Sequence, residues 1–467
     1  MPLVISVSGV RGTIGTDAEG GGALTPQVLL DYVSGYARWV IERRGADATI
    51  VIGRDGRISG PAVSQFVVAT LRFMGIDVID LDLSTTPTVE VAVVRHGADG
   101  GIVLSASHNP KEYNALKLLN ERGEFISADD GAAIKGYVEE GGFAYVSVGE
   151  LGAYRRSDDD IAHHVRVTCE LPLVDVNDIR AEGYHVVVDC INSTGAISVP
   201  PLLDALGVTY ELLFDDVSGD FAHEAEPLPK NLGVLAEAVR AGGADLGIAV
   251  DPDVDRLVLV TETGEMFGEE YTLAAVADYV LRHTPGPAVS NLSSSRVVRD
   301  VCERHGQPYA AGAVGEVHVV RKMREVGAVI GGEGNGGIIY PDLHYGRDSI
   351  VGIALVLSAM ATTNRKASEL RADFPDYVIV KEKLALPDRD AVPVILERVA
   401  GAYAAHYVDR TDGVKVDLEE GWVHLRASNT EPIVRVIAES TDEASAKTLA
   451  AQALAIMREA LDSQPRS

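Results

Sequence analysis

One stretch of this chain is written three times. Gly97-Ala98-Asp99-Gly100-Gly101-Ile102-Val103-Leu104-Ser105-Ala106-Ser107 returns as Gly243-Ala244-Asp245-Leu246-Gly247-Ile248-Ala249-Val250-Asp251-Pro252-Asp253, which sets Ser107 on Asp253. A fainter copy, Gly327-Ala328-Val329-Ile330-Gly331-Gly332-Glu333, ends on an acid and runs into Gly334-Asn335-Gly336-Gly337. Each copy is an apolar run of buried-strand length that stops at polar residues. Open α/β sheets put their chemistry at the carboxyl ends of strands, and repeated supersecondary units usually share one cleft. The echo predicts three related α/β units that aim different loops at a common centre, one carrying serine, one triply acidic and one amide-rich.

The segments around the echo alternate strand and helix, the pattern of a parallel sheet. Thr25-Pro26 starts a helix that reaches about Glu42, with Pro at the first helical position. A strand from Ala48 to Gly53, a helix from Pro61 to Met74, a strand from Asp77 to Leu81 and a helix from Pro87 to Arg95 lead to the Ser107 strand. A Gly-rich connection around Glu139 to Gly149 and a helix from Asp158 to Thr168 separate the first unit from the second, which opens at His185. Composition shifts near Ala372-Asp373-Phe374-Pro375. Beyond it, three strands between two helices, after a first strand at Tyr377, read as a smaller α+β domain. A length of 467 residues is too large for one core. The expectation is an α/β protein of four domains, three of related mixed sheets plus the smaller C-terminal one around a central cleft, with limits 1–155, 156–264, 265–373 and 374–467.

Charge narrows the function. With 69 acidic and 41 basic residues the net charge is -28, which repels nucleic acid and anionic membrane. Such a surface would suit a salt-rich cytosol. If the ligand is an anion, the few basic residues inside motifs must build its site locally. Neither a run of about 18 uncharged apolar residues nor a signal-peptide pattern at Met1 to Ser6 is seen, so the expected location is the cytoplasm. Cys169, Cys190 and Cys302 are odd in number and widely spaced, as reduced structural cysteines are.

The loops carry the chemistry. Ser107 lies between Leu104 and Pro110, followed by His108, Tyr113, Asn114 and Lys117. Asp251, Asp253 and Asp255 alternate, and three such carboxylates suit a hard divalent cation like magnesium. A calcium EF-hand fails here because its sixth position, which must be Gly, is Arg256. Glu333 and Asn335 sit on a Gly frame and could take vicinal hydroxyls of a sugar. Arg426-Ala427-Ser428-Asn429-Thr430-Glu431-Pro432, with Arg435 beyond, gathers hydroxyls, amides and two guanidinium groups into an anion nest. Ser8 to Gly15 is Gly-rich around Arg11, a bidentate donor suited to phosphate. Arg54 and Asp55 read as a bracing pair.

With these loops in order, the chain resembles the α-D-phosphohexomutase superfamily over its whole length. The resemblance implies that Ser107 is carried as phosphoserine, that magnesium is bound by Asp251, Asp253, Asp255 and a phosphoserine oxygen, and that Glu333 and Asn335 meet sugar hydroxyls. It implies that Arg426, Ser428, Asn429, Thr430 and Arg435 hold the non-reacting phosphate. Arg11, Lys117 and Arg256 would neutralise the transferring phosphoryl group, with His108 and Lys117 as candidates for proton transfer. The implied activity interconverts hexose 6-phosphate and hexose 1-phosphate, with hexose 1,6-bisphosphate as intermediate and activator. The implied partner is a small phosphosugar, and the implied assembly a monomer or homodimer. Three positions depart from the common pattern: Pro252 in the acidic loop, Ser8-Gly9-Val10 in the first loop, and Ser105 where Thr is frequent. The ending Glu333-Gly334-Asn335-Gly336-Gly337 differs from the Ser-Gly-His form of phosphomannomutase/phosphoglucomutase enzymes and is similar to a variant among phosphoglucosamine mutases. Glucosamine phosphate is thus the preferred substrate, with mannose or glucose phosphate as the alternative. A non-catalytic phosphosugar-binding protein would need a broken serine or metal loop, and both are intact. No G-x-S-x-G elbow supports a serine hydrolase.

Overall fold

The computed structural model describes residues 3–6, 9–15, 23–45, 47–428 and 432–462. The three copies of the echo occupy one topological position. Strand Gly100–Leu104 runs parallel to Thr49–Arg54 and is followed by an antiparallel return, Tyr113–Leu119. Strand Leu246–Val250 has the same neighbours in His185–Asp189 and Leu257–Thr261, and Ile330–Glu333 has them in Ala288–Asn291 and Gly337–Ile339. Each unit then adds one more parallel strand, Asp77–Leu83, Thr209–Leu213 or Tyr309–Gly312. In every unit the polar loop joins the echoed strand to its antiparallel return. These strands read as apolar runs because they are buried along their whole length, as helices on both faces require.

The first sheet grows to seven strands by adding Gly9–Thr13 and Val4–Ser6 beyond Tyr113–Leu119, and Tyr154–Arg156 on the other edge. Helix Pro26–Arg44 begins where Thr25 and Pro26 place it, with the Thr25 hydroxyl accepting from the Val28 amide at 3.3 Å. The Gly-rich stretch after Glu140 follows a helix, Ala128–Glu140, started by a Ser127/Asp130 capping box. The helix expected from Asp158 is Asp160–Cys169.

The second and third units share one continuous apolar core. Its axis is helix Ser349–Thr363, buried from Ser349 to Ala361. It packs on helices Glu269–His283, Val176–Glu182, Asp160–Cys169 and Gly195–Leu206. The C-terminal unit is a five-stranded antiparallel sheet in the order Val378–Ala385, Ile433–Ser440, Gly421–Ala427, Val414–Asp417, Tyr407–Asp409, packed with helices Val392–Ala402 and Glu443–Asp462. The architecture is therefore three related α/β units plus one α+β unit. Among the described residues no helix is long and apolar enough to cross a membrane, and all three cysteines are free thiols.

Candidate active site

The serine loop is held in an unusual backbone state. Ser107 has φ 49°, in the left-handed region that costs a non-glycine residue roughly 1–2 kcal/mol. The compensation comes from Arg57, which is fully buried. All five of its guanidinium N–H groups are used. Nη1 donates to the carbonyls of Pro110 at 2.7 Å and Tyr113 at 3.1 Å. Nη2 donates to those of Asn109 at 2.8 Å and Ser107, and Nε to Asp55 at 2.9 Å. Asp55 also accepts from the Ser105 hydroxyl at 2.7 Å, which in turn accepts from the Ser107 amide at 2.9 Å. The expected Arg54–Asp55 brace forms through the backbone: Arg54 Nη1 donates to the Asp55 carbonyl at 3.3 Å, while its ion pair is with Asp82 and the Asp55 carboxylate pairs with Arg57.

The Ser107 hydroxyl crosses from the first unit to the second, donating to Asp251 Oδ2 at 2.6 Å. Asp251 Oδ1 accepts from the amides of Asp255 at 3.0 Å and Arg256 at 3.1 Å, which winds the acidic loop around it. Asp251, Asp253 and Asp255 are all fully buried, and they offer ligand oxygens within 4.8 Å of one another. Asp253 Oδ1 and Asp255 Oδ1 have no hydrogen-bond partner, which is costly for buried carboxylates. Three hard oxygen donors with two orphaned atoms fit a divalent cation.

Electrostatics agree with a site built for charge. Burial, reinforced by Asp255 and Asp253, raises the Asp251 carboxyl well above its ordinary range. Burial acts on Asp255 in the same direction, yet Arg347, Lys117 and Arg256 outweigh it and hold that carboxyl low. Lys117, 2.5 Å from Asp253 and 3.3 Å from Asp255, is kept protonated because these two acids overcome the cost of burial. His108, whose Nδ1 is 3.5 Å from the Ser107 hydroxyl, is driven down to about 2 by burial and then by Arg256, so its ring is neutral.

Two chambers meet in front of this serine. A cavity of about 440 Å³ is lined by Arg11, Ser107, His108, Lys117 and Arg347, and one of about 600 Å³ by Asn335, Lys381, Lys383, Arg426 and Arg435. Arg256, Val314 and Glu333 line both. All four units thus contribute to one cleft. Arg11 is steadied by Asn109, 2.8 Å away. Glu333 accepts from Asn291 at 2.8 Å, the Gly315 amide at 2.9 Å and Arg347 at 2.8 Å. Its loop turns at Gly336, with φ 83°, where a Cβ would lie 2.2 Å from the Leu257 carbonyl oxygen. Asn335 Oδ1 accepts from the Gly337 amide at 3.2 Å.

In the C-terminal sheet Lys383 is opposite Arg435, and Arg435 is opposite Arg426. Like charges directly across a ladder are destabilising on their own, so this row is what a bound anion would stabilise. Arg426 Nε also lies 3.3 Å from Asp412. Ser428 is buried beside the row, its amide donating to the Ile433 carbonyl at 3.0 Å. Asn429 and Thr430 lie outside the described residues. The sequence reading missed Lys381 and Lys383, although their alternate spacing on a strand marks a shared face. It also missed Arg57, Arg347 and Thr86, whose hydroxyl donates to Asp253.

Fold and site define a four-unit α/β protein whose repeated strand ends converge on a serine, an acidic triad and a basic row. Sequence profiles of the phosphoglucomutase/phosphomannomutase family match in order: α/β/α domain I over residues 4–144, domain II over 164–264, domain III over 269–377 and the C-terminal domain over 378–456. The chain belongs to this family, within the α-D-phosphohexomutase superfamily. It is 34% identical to a "Probable phosphoglucosamine mutase" of Methanopyrus kandleri, covering 99% of each chain. It is also 34% identical to a "Phosphoglucomutase/phosphomannomutase" of Thermococcus kodakarensis, covering 96% of this chain and 98% of that one. A crystal structure of a family protein from Burkholderia thailandensis superposes with a TM-score of 0.83 at 25% identity over 99% of both chains.

Proposed function

We propose that the chain interconverts hexose 6-phosphate and hexose 1-phosphate through phosphoserine at position 107 and a bisphosphorylated sugar, with glucosamine phosphate as substrate. The observation that carries this reading is the contact of the Ser107 hydroxyl with Asp251 at 2.6 Å, in a chamber that shares Arg256, Val314 and Glu333 with the one lined by Lys383, Arg435 and Arg426.

In the forward step the bond from phosphorus to the serine oxygen breaks while one forms to a sugar hydroxyl. His108 takes the hydroxyl proton. Its neutral ring is a poor base as found, but a phosphoserine dianion beside it would raise its proton affinity. Lys117, Arg11 and Arg256 neutralise charge on the group in flight, where most catalysis of phosphoryl transfer lies. Asp251, Asp253 and Asp255 with a phosphoserine oxygen would hold magnesium, whose chemistry there is further neutralisation of that charge. Glu333 and Asn335 meet the sugar hydroxyls. Arg426, Ser428, Asn429, Thr430 and Arg435 hold the non-reacting phosphate. The bisphosphate then turns end for end and returns its other phosphoryl to Ser107. Free hexose 1,6-bisphosphate would recharge the serine and so activate the enzyme.

Two features support an amino sugar. Glu269 and Glu270 line the larger chamber; burial raises both carboxyls, Glu270 to about 8, and an ammonium group placed beside them would favour their charged forms. The relative from Methanopyrus kandleri carries the name of a phosphoglucosamine mutase. We assign the four domains to 1–155, 156–264, 265–373 and 374–467, and take the protein to act in the cytoplasm as a monomer or homodimer. Turnover of glucosamine, glucose and mannose phosphates in both directions tests the reading. Glucosamine phosphate should give the highest kcat/KM. A higher value for mannose or glucose phosphate transfers the assignment to the phosphomannomutase/phosphoglucomutase activity, and no turnover of any removes the mutase reading.

A further inference from the structure

Arg347 stands between the sugar-loop strand Gly337–Ile339 and the buried helix Ser349–Thr363. Its guanidinium divides among three carboxylates: Nη1 donates to Glu333 Oε2 at 2.8 Å, Nη2 to Asp255 Oδ2 at 2.8 Å, and Nε lies 3.0 Å from Glu316 Oε2. Its own amide donates to Glu316 Oε1 at 3.3 Å, which fixes the base of the side chain. The other donors to Glu333, Asn291 and the Gly315 amide, both sit on Oε1. Arg347 is the donor to Oε2, and it ties that carboxylate to Asp255 of the second unit.

Gly337 completes the arrangement. A Cβ there would lie 2.3 Å from Arg347 Cδ, so the arginine stem fills the space that a side chain at 337 would need. The cation reaches Glu333 from the loop before the buried helix instead of from the sugar loop itself. Arg347 is also anchored at Asp255, which is packed within the acidic loop, so its fork has little freedom to follow Glu333 if that carboxylate moves. A fork with planar, fixed donor directions sets the orientation of the carboxylate it holds.

We propose that Arg347 is the positioning residue of the sugar subsite: by fixing Oε2 of Glu333 it sets how that carboxylate meets the sugar hydroxyls. This rests on the assignment of Glu333 to hydroxyl recognition made above. Arg347 does not itself touch the sugar. Its effect is therefore read in discrimination between a hydroxyl that Glu333 accepts from and its absence.

The test is equilibrium binding of glucosamine 6-phosphate and its 3-deoxy and 4-deoxy analogues by calorimetry. It uses full-length protein carrying Ser107→Ala, so that no transfer occurs, with and without Arg347→Lys or Arg347→Met. Lysine keeps the charge and loses the fork, and it serves if the methionine variant does not fold. With Arg347 present, at least one deoxy analogue should bind about tenfold more weakly than the parent, the loss of one charge-assisted hydrogen bond. In the variants the parent should weaken by about tenfold while that analogue changes by less than about twofold, so discrimination collapses. Retained discrimination in both variants overturns the proposal, and so does equal weakening of parent and analogue, the mark of a merely structural residue. Absence of discrimination with Arg347 in place overturns the role of Glu333 and the proposal with it, whereas a failure confined to the variants leaves Glu333 standing.

Discussion

Replacing Arg57 by methionine should loosen the serine loop and with it the first unit. Four carbonyls, of Ser107, Asn109, Pro110 and Tyr113, lose their donor at once, and Asp55 loses its ion-pair partner in a fully buried place. Burial already raises the Asp55 carboxyl, and Arg57 is the strongest influence lowering it. Breaking a buried pair from one side costs about 3–5 kcal/mol. A unit of this size loses roughly 2–4 °C per kcal/mol, so a fall in Tm on the order of 10 °C is expected. The left-handed backbone at Ser107 is also no longer held, and relaxation of roughly 1–2 kcal/mol would draw its hydroxyl away from Asp251. Turnover should therefore fall even at temperatures where the variant is folded. Scanning calorimetry and kcat at 20 °C below the variant's own Tm separate the two effects. Asp55→Asn on the Arg57→Met background should recover part of the lost stability, because it removes the orphaned charge. A Tm within about 2 °C of the parent together with undiminished kcat would refute the reasoning, since Arg57 would then be neither a stabiliser nor a seat for the serine.

Other outcomes follow from the same geometry. Asp253→Asn should abolish the magnesium-dependent rise in Tm while the fold persists; an unchanged magnesium titration would return the three aspartates to an acidic turn. Arg426→Ala should weaken the 1-phosphate and the 6-phosphate substrates alike, by about one to two decades in kcat/KM; loss in one direction alone would mean that the basic row is not shared by the two binding modes. His344 lies between Glu90, at 3.2 Å, and Asp348, at 3.2 Å, beside His164. Burial works against its charge, but Asp348 and Glu90 raise it from 6.5 to about 10. Its stabilisation should be complete below about pH 6.5 and disappear as pH rises through about 10. Urea melts of His344→Gln against pH should show the largest deficit near pH 6 and none above pH 10; a deficit independent of pH would exclude the charge as its source.

The echo made three units legible because identical strand ends need similar apolar runs, and the loops were legible because Ser107, the alternating aspartates and the Arg426 turn are local. What escaped was non-local. Arg347 follows Gly346 by one residue and carries no pattern, yet it bridges Asp255 and Glu333 from 92 and 14 positions away. Arg57 stood beside the pair that was expected, yet it takes the Asp55 carboxylate while Arg54 reaches only the Asp55 carbonyl. Helix Ser349–Thr363 gave no 3.6-residue signal because it is buried on all sides, so no polar face interrupts Ile350 to Met360. Helix Ala128–Glu140 was hidden for the opposite reason: Ile134 is its only buried residue.

Peptide-resolved mass spectrometry of the full-length enzyme after incubation with glucose 1,6-bisphosphate, followed by a chase with unlabelled hexose phosphate, tests the central claim most directly. Phosphate should appear on the peptide containing Ser107, leave it during the chase and be found on the sugar. Phosphate that never reaches Ser107, or full turnover by Ser107→Ala, would contradict the account.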